Sequence, residues 1–338
     1  MIPFTHTPPA AAALALLADP QSAAVQFVSV ALLAALYARR ARTLASDELA
    51  GSEGRVARWR QACFYAGCLT VVGALVGLSQ LSRELLFAHM IQLLLIGNVA
   101  PLLLVLGLTQ PLLGPTLGGD RSIASDRRSA GVFGLVRLLA NPLIALPLWA
   151  ICVGVWHLPG PYQAALEHPA IAVLQHATLL ACGVNLWMCL FGPLPTPGRF
   201  GHLGKLLYIA AMGLLAAALG NLLLWSDVVF YPFYLDGDSA HRASPIADQN
   251  LAGAVLVIEA TLMTIGLFCW LFLRTAREAR EREELLDLAA VHGFTLSDKR
   301  VARAVSAGRG DELRRRLEGR IETGQTQPAP AVTQDSML

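Results

Sequence analysis

Charge avoids most of this chain. In seven stretches, near residues 21–38, 61–81, 86–107, 138–157, 170–191, 205–226 and 250–273, apolar residues run on almost without a break. Only the last holds a charge in its core, Glu259. About 20 apolar residues in helical form cross the hydrocarbon layer of a bilayer. In lipid, backbone N–H and C=O groups must pair within their own segment, so single stretches of this kind are helices. The chain is therefore predicted to be all-α, a polytopic membrane bundle of seven transmembrane helices within residues 1–274. Asp, Glu, Lys and Arg make up 15% of its 338 residues, against about 25% in soluble proteins.

The charges that remain set a direction. All of the 26 Lys and Arg residues except Arg83 and Arg242 fall after the first, third or fifth stretch, or beyond the seventh. Basic residues accumulate on the cytoplasmic side. The N-terminus is thus predicted outside and the C-terminus in the cytoplasm, an alternation that an even number of spans would break. Residues 275–338 read as a charged cytoplasmic tail. It continues the last helix with i,i+4 ion pairs, has a second helical patch near 297–320, and ends from Thr323 in a disordered segment. No Lys or Arg occurs in the first twenty residues, so no cleavable signal is expected. The six cysteines all lie in apolar stretches and read as small core residues rather than a disulfide framework. Because the basic residues follow membrane topology, nucleic-acid binding is not expected.

With direction set, four of the eight histidines collect at the outer end of the bundle. His89 lies just inside the third span, His157 closes the fourth, His168 precedes the fifth, and His176 sits about 10 Å further in. Imidazole is the commonest metal ligand and suits copper, zinc or iron. It also finds water readily at a membrane interface, and the residues alone leave both readings standing. Other polar groups gather at the same end: Gln92 on the face of His89, Asn221 and Asp227 near the end of span six, Asp248 and Gln249 at the start of span seven. Glu259 is nine residues deeper, where a carboxylate costs about 2.5 kcal/mol or more. It needs a proton, a partner such as Asn98, Gln175, Asn185, Asn221 or His176, or a watery cavity. No nucleophile–base set, phosphate loop or H-E-x-x-H is present, so the chain is not expected to be an enzyme. Transport of copper or another small solute past Glu259, and haem bound between two histidines, are the alternatives to metal handling at the rim.

Four segments carry a family likeness. They are His89-Met-Ile-Gln-Leu-Leu-Leu through Ala100-Pro-Leu-Leu-Leu-Val-Leu-Gly; Trp156-His-Leu-Pro-Gly-Pro-Tyr through His168-Pro; Leu207-Tyr208 through Tyr231-Pro-Phe-Tyr; and Ser244-Pro-Ile-Ala-Asp-Gln-Asn-Leu-Ala-Gly. W-H-L-P…H-P and S-P-x-x-D-Q-x-x-A-G are not generic hydrophobic patterns. In these segments, which cover spans three to seven, the chain resembles the seven-helix CtaG-type family of cytochrome c oxidase assembly factors. The resemblance implies a role in maturing haem–copper oxidases, with transient binding of copper and its delivery from the extracytoplasmic face. It implies a bacterial cytoplasmic (inner) membrane location. The implied partners are a cytochrome c oxidase subunit and membrane lipid, with room for a homo-oligomer. His89, His157, His168 and His176 correspond to family histidines, and Asp248 and Gln249 to the family's D-Q pair. Two further family histidines are replaced here by Leu93 and Ala172.

Overall fold

The structure, a computed structural model, describes residues 20–46, 55–109, 112, 141–193, 200–306 and 308–323. The expected disorder beyond Thr323 and the arginines at 121–137 lie outside the described residues. Every regular element among the described residues is helical.

Among the described residues, six helices are long and apolar enough to cross a membrane. The first is α1 (Pro20–Ser46), followed by α2 (Arg58–Gly77) and a one-turn α3 (Leu81–Glu84). The third span combines α4 (Leu86–Leu94), a π-helical turn (Leu95–Val99) and α5 (Ala100–Gly107). The expected fourth span, 138–157, is the one that departs from the prediction. Its described part is α6 (Pro142–Trp156), 15 residues long, and past its expected end a second helix, α7 (Pro159–Glu167), turns away by 69°. The two make a seventh crossing only if counted together. Pro159 explains the break, because it forces Leu158 into extended backbone (φ −67°, ψ 138°) and then opens a new helix at its first position. The fifth and sixth spans are α8 (Pro169–Phe191) and α9 (His202–Leu224). A 3₁₀ turn (Pro232–Tyr234) and the short α10 (Leu235–Ala240) lead to α11 (Pro245–Val291). That helix runs 47 residues without a break, about 70 Å at 1.5 Å per residue. Helices α12 (Asp298–Ser306) and α13 (Gly310–Glu322) follow.

The chain divides into two compact units, Met1–Thr264 and Ile265–Leu338. In the first, many large apolar side chains point outward, among them Leu69, Leu143, Leu214 and Leu262. Lipid is as apolar as leucine, so such a flank is at home in a bilayer, and helices there associate through small residues that let backbones approach. Gly183 of α8 and Gly97 of the π turn are one such case. A Cβ added at Gly183 would sit 2.2 Å from the Gly97 carbonyl oxygen and 2.7 Å from Pro101 Cγ. Pro101 has no N–H to return to that carbonyl four residues back, so the π turn and the tight contact with α8 fall at the same place. Gly183→Val should cost about 1–3 kcal/mol by overpacking. Gly154→Ala, where an added Cβ meets nothing within 4 Å, should be neutral or slightly stabilising. Thermal melts of the two variants in detergent provide the check.

At the opposite end from the histidines, α5 is closed by side chains. Arg60 Nη1 donates to the carbonyls of Leu106 and Leu108 (3.0 and 3.1 Å), and the Tyr37 hydroxyl donates to Gly107 O (3.0 Å). A guanidinium at a helix C-terminus satisfies orphan carbonyls and opposes the negative end of the dipole.

The second unit is more than a solvated extension. Leu285, Ala289, Phe294, Val301, Val305 and Leu317 form a small core of their own. Gly293, at φ +73°, supplies the left-handed turn that ends α11. Arg282 pairs with Asp298 through two bonds (2.6 and 2.5 Å) and Arg314 with Glu284 at 2.6 Å.

Candidate histidine–tyrosine site

Prolines at helix starts and a short loop bring the polar residues of the first unit to one end. There the starts of α4, α8 and α11 meet the end of α6. Asp248, in the first turn of α11, sets the frame. Its carboxylate accepts from the backbone N–H of Leu86 (2.6 Å) and Phe87 (3.1 Å), 162 and 161 residues away in sequence. These are two of the N–H groups that α4 leaves without an intrahelical partner, and a carboxylate there also meets the positive end of the helix dipole. Gln249, 1% exposed, holds the loop before α10. Its Oε1 accepts from Phe230 N–H and its Nε2 donates to Val228 O, both at 2.9 Å.

That loop delivers two tyrosines. The Tyr231 hydroxyl donates to His157 O (2.6 Å) and the Tyr234 hydroxyl to Ser82 O (3.3 Å). Tyr162, on α7, completes the chain through its hydroxyl to that of Tyr234 (3.0 Å). The bend between α6 and α7 is thus what places this ring under the loop. Its centroid lies 4.9 Å from that of His89, 6.4 Å from that of His157 and 4.3 Å from that of Tyr231. Burial pushes the Tyr231 and Tyr234 hydroxyls above the usual phenol range, so both remain protonated donors.

The imidazoles share one arrangement. His89 Nδ1 faces Ser82 O at 3.3 Å, and His157 Nδ1 faces Val153 O at 2.7 Å. A carbonyl can only accept, so in both rings the proton sits on Nδ1 and Nε2 keeps its lone pair. Both Nε2 atoms are buried and lack a hydrogen-bond partner among the described residues. His176 Nδ1 meets Gln26 Oε1 of α1 at 3.0 Å. His157 and His176 both lie within electrostatic reach of His89.

The other expected site residues are placed differently. His168 precedes α8 as its cap, with an exposed ring. Gln92 turns toward α2, its Nε2 donating to Ala74 O at 3.0 Å. Asn221 and Asp227 are exposed; among the described residues the Asn221 side chain bonds within its own helix end, to Ala217 O and Trp225 Nε1. Helix phase accounts for this, since a polar residue at the right depth can still face outward. Among the described residues no three His, Cys, Asp or Glu side chains gather as a metal-sized group. The rim therefore offers a pair of imidazoles about one tyrosine, with His176 nearby, and not a closed four-histidine cage.

Two more residues belong to this region, Gln175, which the sequence offered only as a partner for Glu259, and Ser82, which it did not single out. Gln175 is 1% exposed, and both of its side-chain polar atoms lack partners among the described residues. Ser82 supplies the carbonyl shared by His89 and Tyr234. Ser82 carried no sequence signal because its backbone, not its side chain, does the bonding.

Deeper in the bundle, Asn98 of the π turn donates through Nδ2 to Glu259 Oε1. Trp187 Nε1 donates to both the backbone and side-chain oxygens of Asn98, at 3.0 Å each. Trp187 thereby fixes the amide orientation that serves Glu259. A cavity of about 80 Å³ joins this pair to the rim, lined by Asn98, Trp149, His157, Leu256 and Glu259 among others.

Asp238, on α10, is buried beside Asp248 and hydrogen-bonds to it, while its Oδ1 lacks a partner among the described residues. Burial first, then the Asp248 charge and hydrogen bond, raise its carboxyl from 3.8 to about 6, against a smaller opposing pull from His241. A raised pKa means the folded state holds the proton more tightly, so this contribution is complete below about pH 4 and fades as pH climbs through about 6. Asp238→Asn should flatten that dependence and raise the melting temperature at pH 8, with little change at pH 4. Melts across that range provide the check.

The fold and site define a class: a multi-pass helical membrane protein with a histidine–tyrosine cluster at one end of its bundle. The family described as cytochrome c oxidase caa3 assembly factor (Caa3_CtaG) matches residues 35–278, and the chain belongs to it. No curated protein and no solved structure matches the chain.

Proposed function

We propose that this chain assists maturation of a cytochrome c oxidase by holding copper transiently on His89 and His157 and passing it to an oxidase subunit. The copper is cargo. The observation that carries the reading is the pair of buried Nε2 lone pairs left open when both Nδ1 atoms are tied to backbone carbonyls. Such second-atom bonding fixes tautomer and ring direction in metal-ligating histidines. Imidazole suits copper, and two donors without a third make a site that can release its ion. The distribution of basic residues supports an extracytoplasmic rim and a cytoplasmic second unit. Family membership supports the oxidase as client.

The cavity from His157 to Glu259 favours a second reading, passage of a small cation through the membrane. Deleting the gene and complementing it separates the two. On the assembly reading, deletion lowers oxidase activity and oxidase copper content, and Glu259→Gln restores both as fully as wild type. Failure of Glu259→Gln, together with Glu259-dependent uptake of copper into proteoliposomes, would favour passage. Unchanged oxidase after deletion would remove the assembly role.

A further inference from the structure

Cysteine was expected only as packing, yet two of the six free cysteines stand on helices packed side by side. Helices α6 and α8 run antiparallel side by side, and Trp156 Nε1 donates to Thr178 Oγ1 at 2.8 Å. That bond fixes their register. One turn further along each helix, four residues back from Trp156 and four on from Thr178, stand Cys152 and Cys182. Residues four apart share a helix face, so the register brings the two side chains opposite each other. The two thiols are thus neighbours across the helix pair, one turn from the Trp156–Thr178 bond. Both cysteines are partly exposed on the flank of the bundle, which in a membrane faces lipid.

We propose that Cys152 and Cys182 form a reversible interhelical disulfide inside the membrane, oxidised by a lipid-dissolved quinone. The two S–H bonds break and one S–S bond forms. The thiols give up two electrons and two protons, and the quinone takes up both to become the hydroquinone. A water-soluble oxidant has poor access to thiols on a lipid-facing flank, which is why the acceptor is assigned to the lipid phase. Closing the bond ties α6, which ends at His157, to α8, which carries His176. The inference does not depend on copper binding at the rim.

The test uses the full chain in lipid vesicles, treated with a short-chain ubiquinone analogue, then denatured in SDS, alkylated, digested and read by mass spectrometry. The expected result is loss of alkylation at Cys152 and Cys182, one peptide pair joined through them, and reversal by dithiothreitol. Cys63, Cys68, Cys189 and Cys269 should stay alkylatable. Cys152→Ser should abolish the joined product and leave Cys182 alkylatable. Diamide in place of the quinone checks the geometry by itself. If neither oxidant joins the peptides, the thiol pair is overturned; if only diamide does, the quinone is overturned as oxidant.

Discussion

Replacing His89 and His157 together by alanine should reduce oxidase maturation to the level of a strain lacking the gene. Each ring keeps its proton on Nδ1, held by Ser82 O or Val153 O, and each leaves a buried acceptor nitrogen open. A buried polar atom without a partner is destabilising unless it serves something. Both rings flank Tyr162, so losing one leaves a single donor and losing both leaves none. Each single variant should therefore retain part of the activity, and the double variant none. His168→Ala, at an exposed ring outside the cluster, should behave as wild type. Full oxidase activity with the double variant would show that these nitrogens have no part in the process. Membrane abundance of every variant has to be measured beside activity, because His89 is only 5% exposed.

Asp248→Ala should have the largest effect on stability, about 2–4 kcal/mol. It strips the acceptor from Leu86 and Phe87 N–H at a buried helix start and removes the negative charge that opposes the α4 dipole. It also takes away the hydrogen-bond partner of Asp238. Asp248→Asn keeps one acceptor oxygen and should cost roughly half as much. Because the frame of the site rests on this carboxylate, function should fall with stability in the alanine variant. Thermal unfolding followed by the fluorescence of Trp156 and Trp187 in detergent measures both variants. Equal melting temperatures for wild type and Asp248→Ala would contradict the capping role.

The helices were legible because a bilayer permits so few alternatives. Apolar length and the absence of charge located span three at Leu86–Gly107 and span five at Pro169–Phe191 with little error. The bend was not legible. Pro159 stood in plain view, but Gly-Pro-Tyr reads equally well as a loop until tertiary packing of Tyr162 is known. Depth was likewise readable and direction was not. His89, His157, Asn221 and Asp227 lie at comparable heights, yet only the first two turn inward. The location of Asp248 and Gln249 could be read from the chain, while their backbone partners lie 162 and 19 residues away and leave no local trace. Asn98 was named among several partners for Glu259, and the π turn with Trp187 is what selects it.

Copper measured on the purified chain tests the central claim most directly. Wild type loaded with copper and freed of excess ion by gel filtration should retain it, with nitrogen-dominated coordination in its X-ray absorption spectrum, and His89→Ala/His157→Ala of equal stability should not. Equal retention by the two proteins, or none by wild type, would contradict the claim that open imidazole nitrogens at the rim hold the ion.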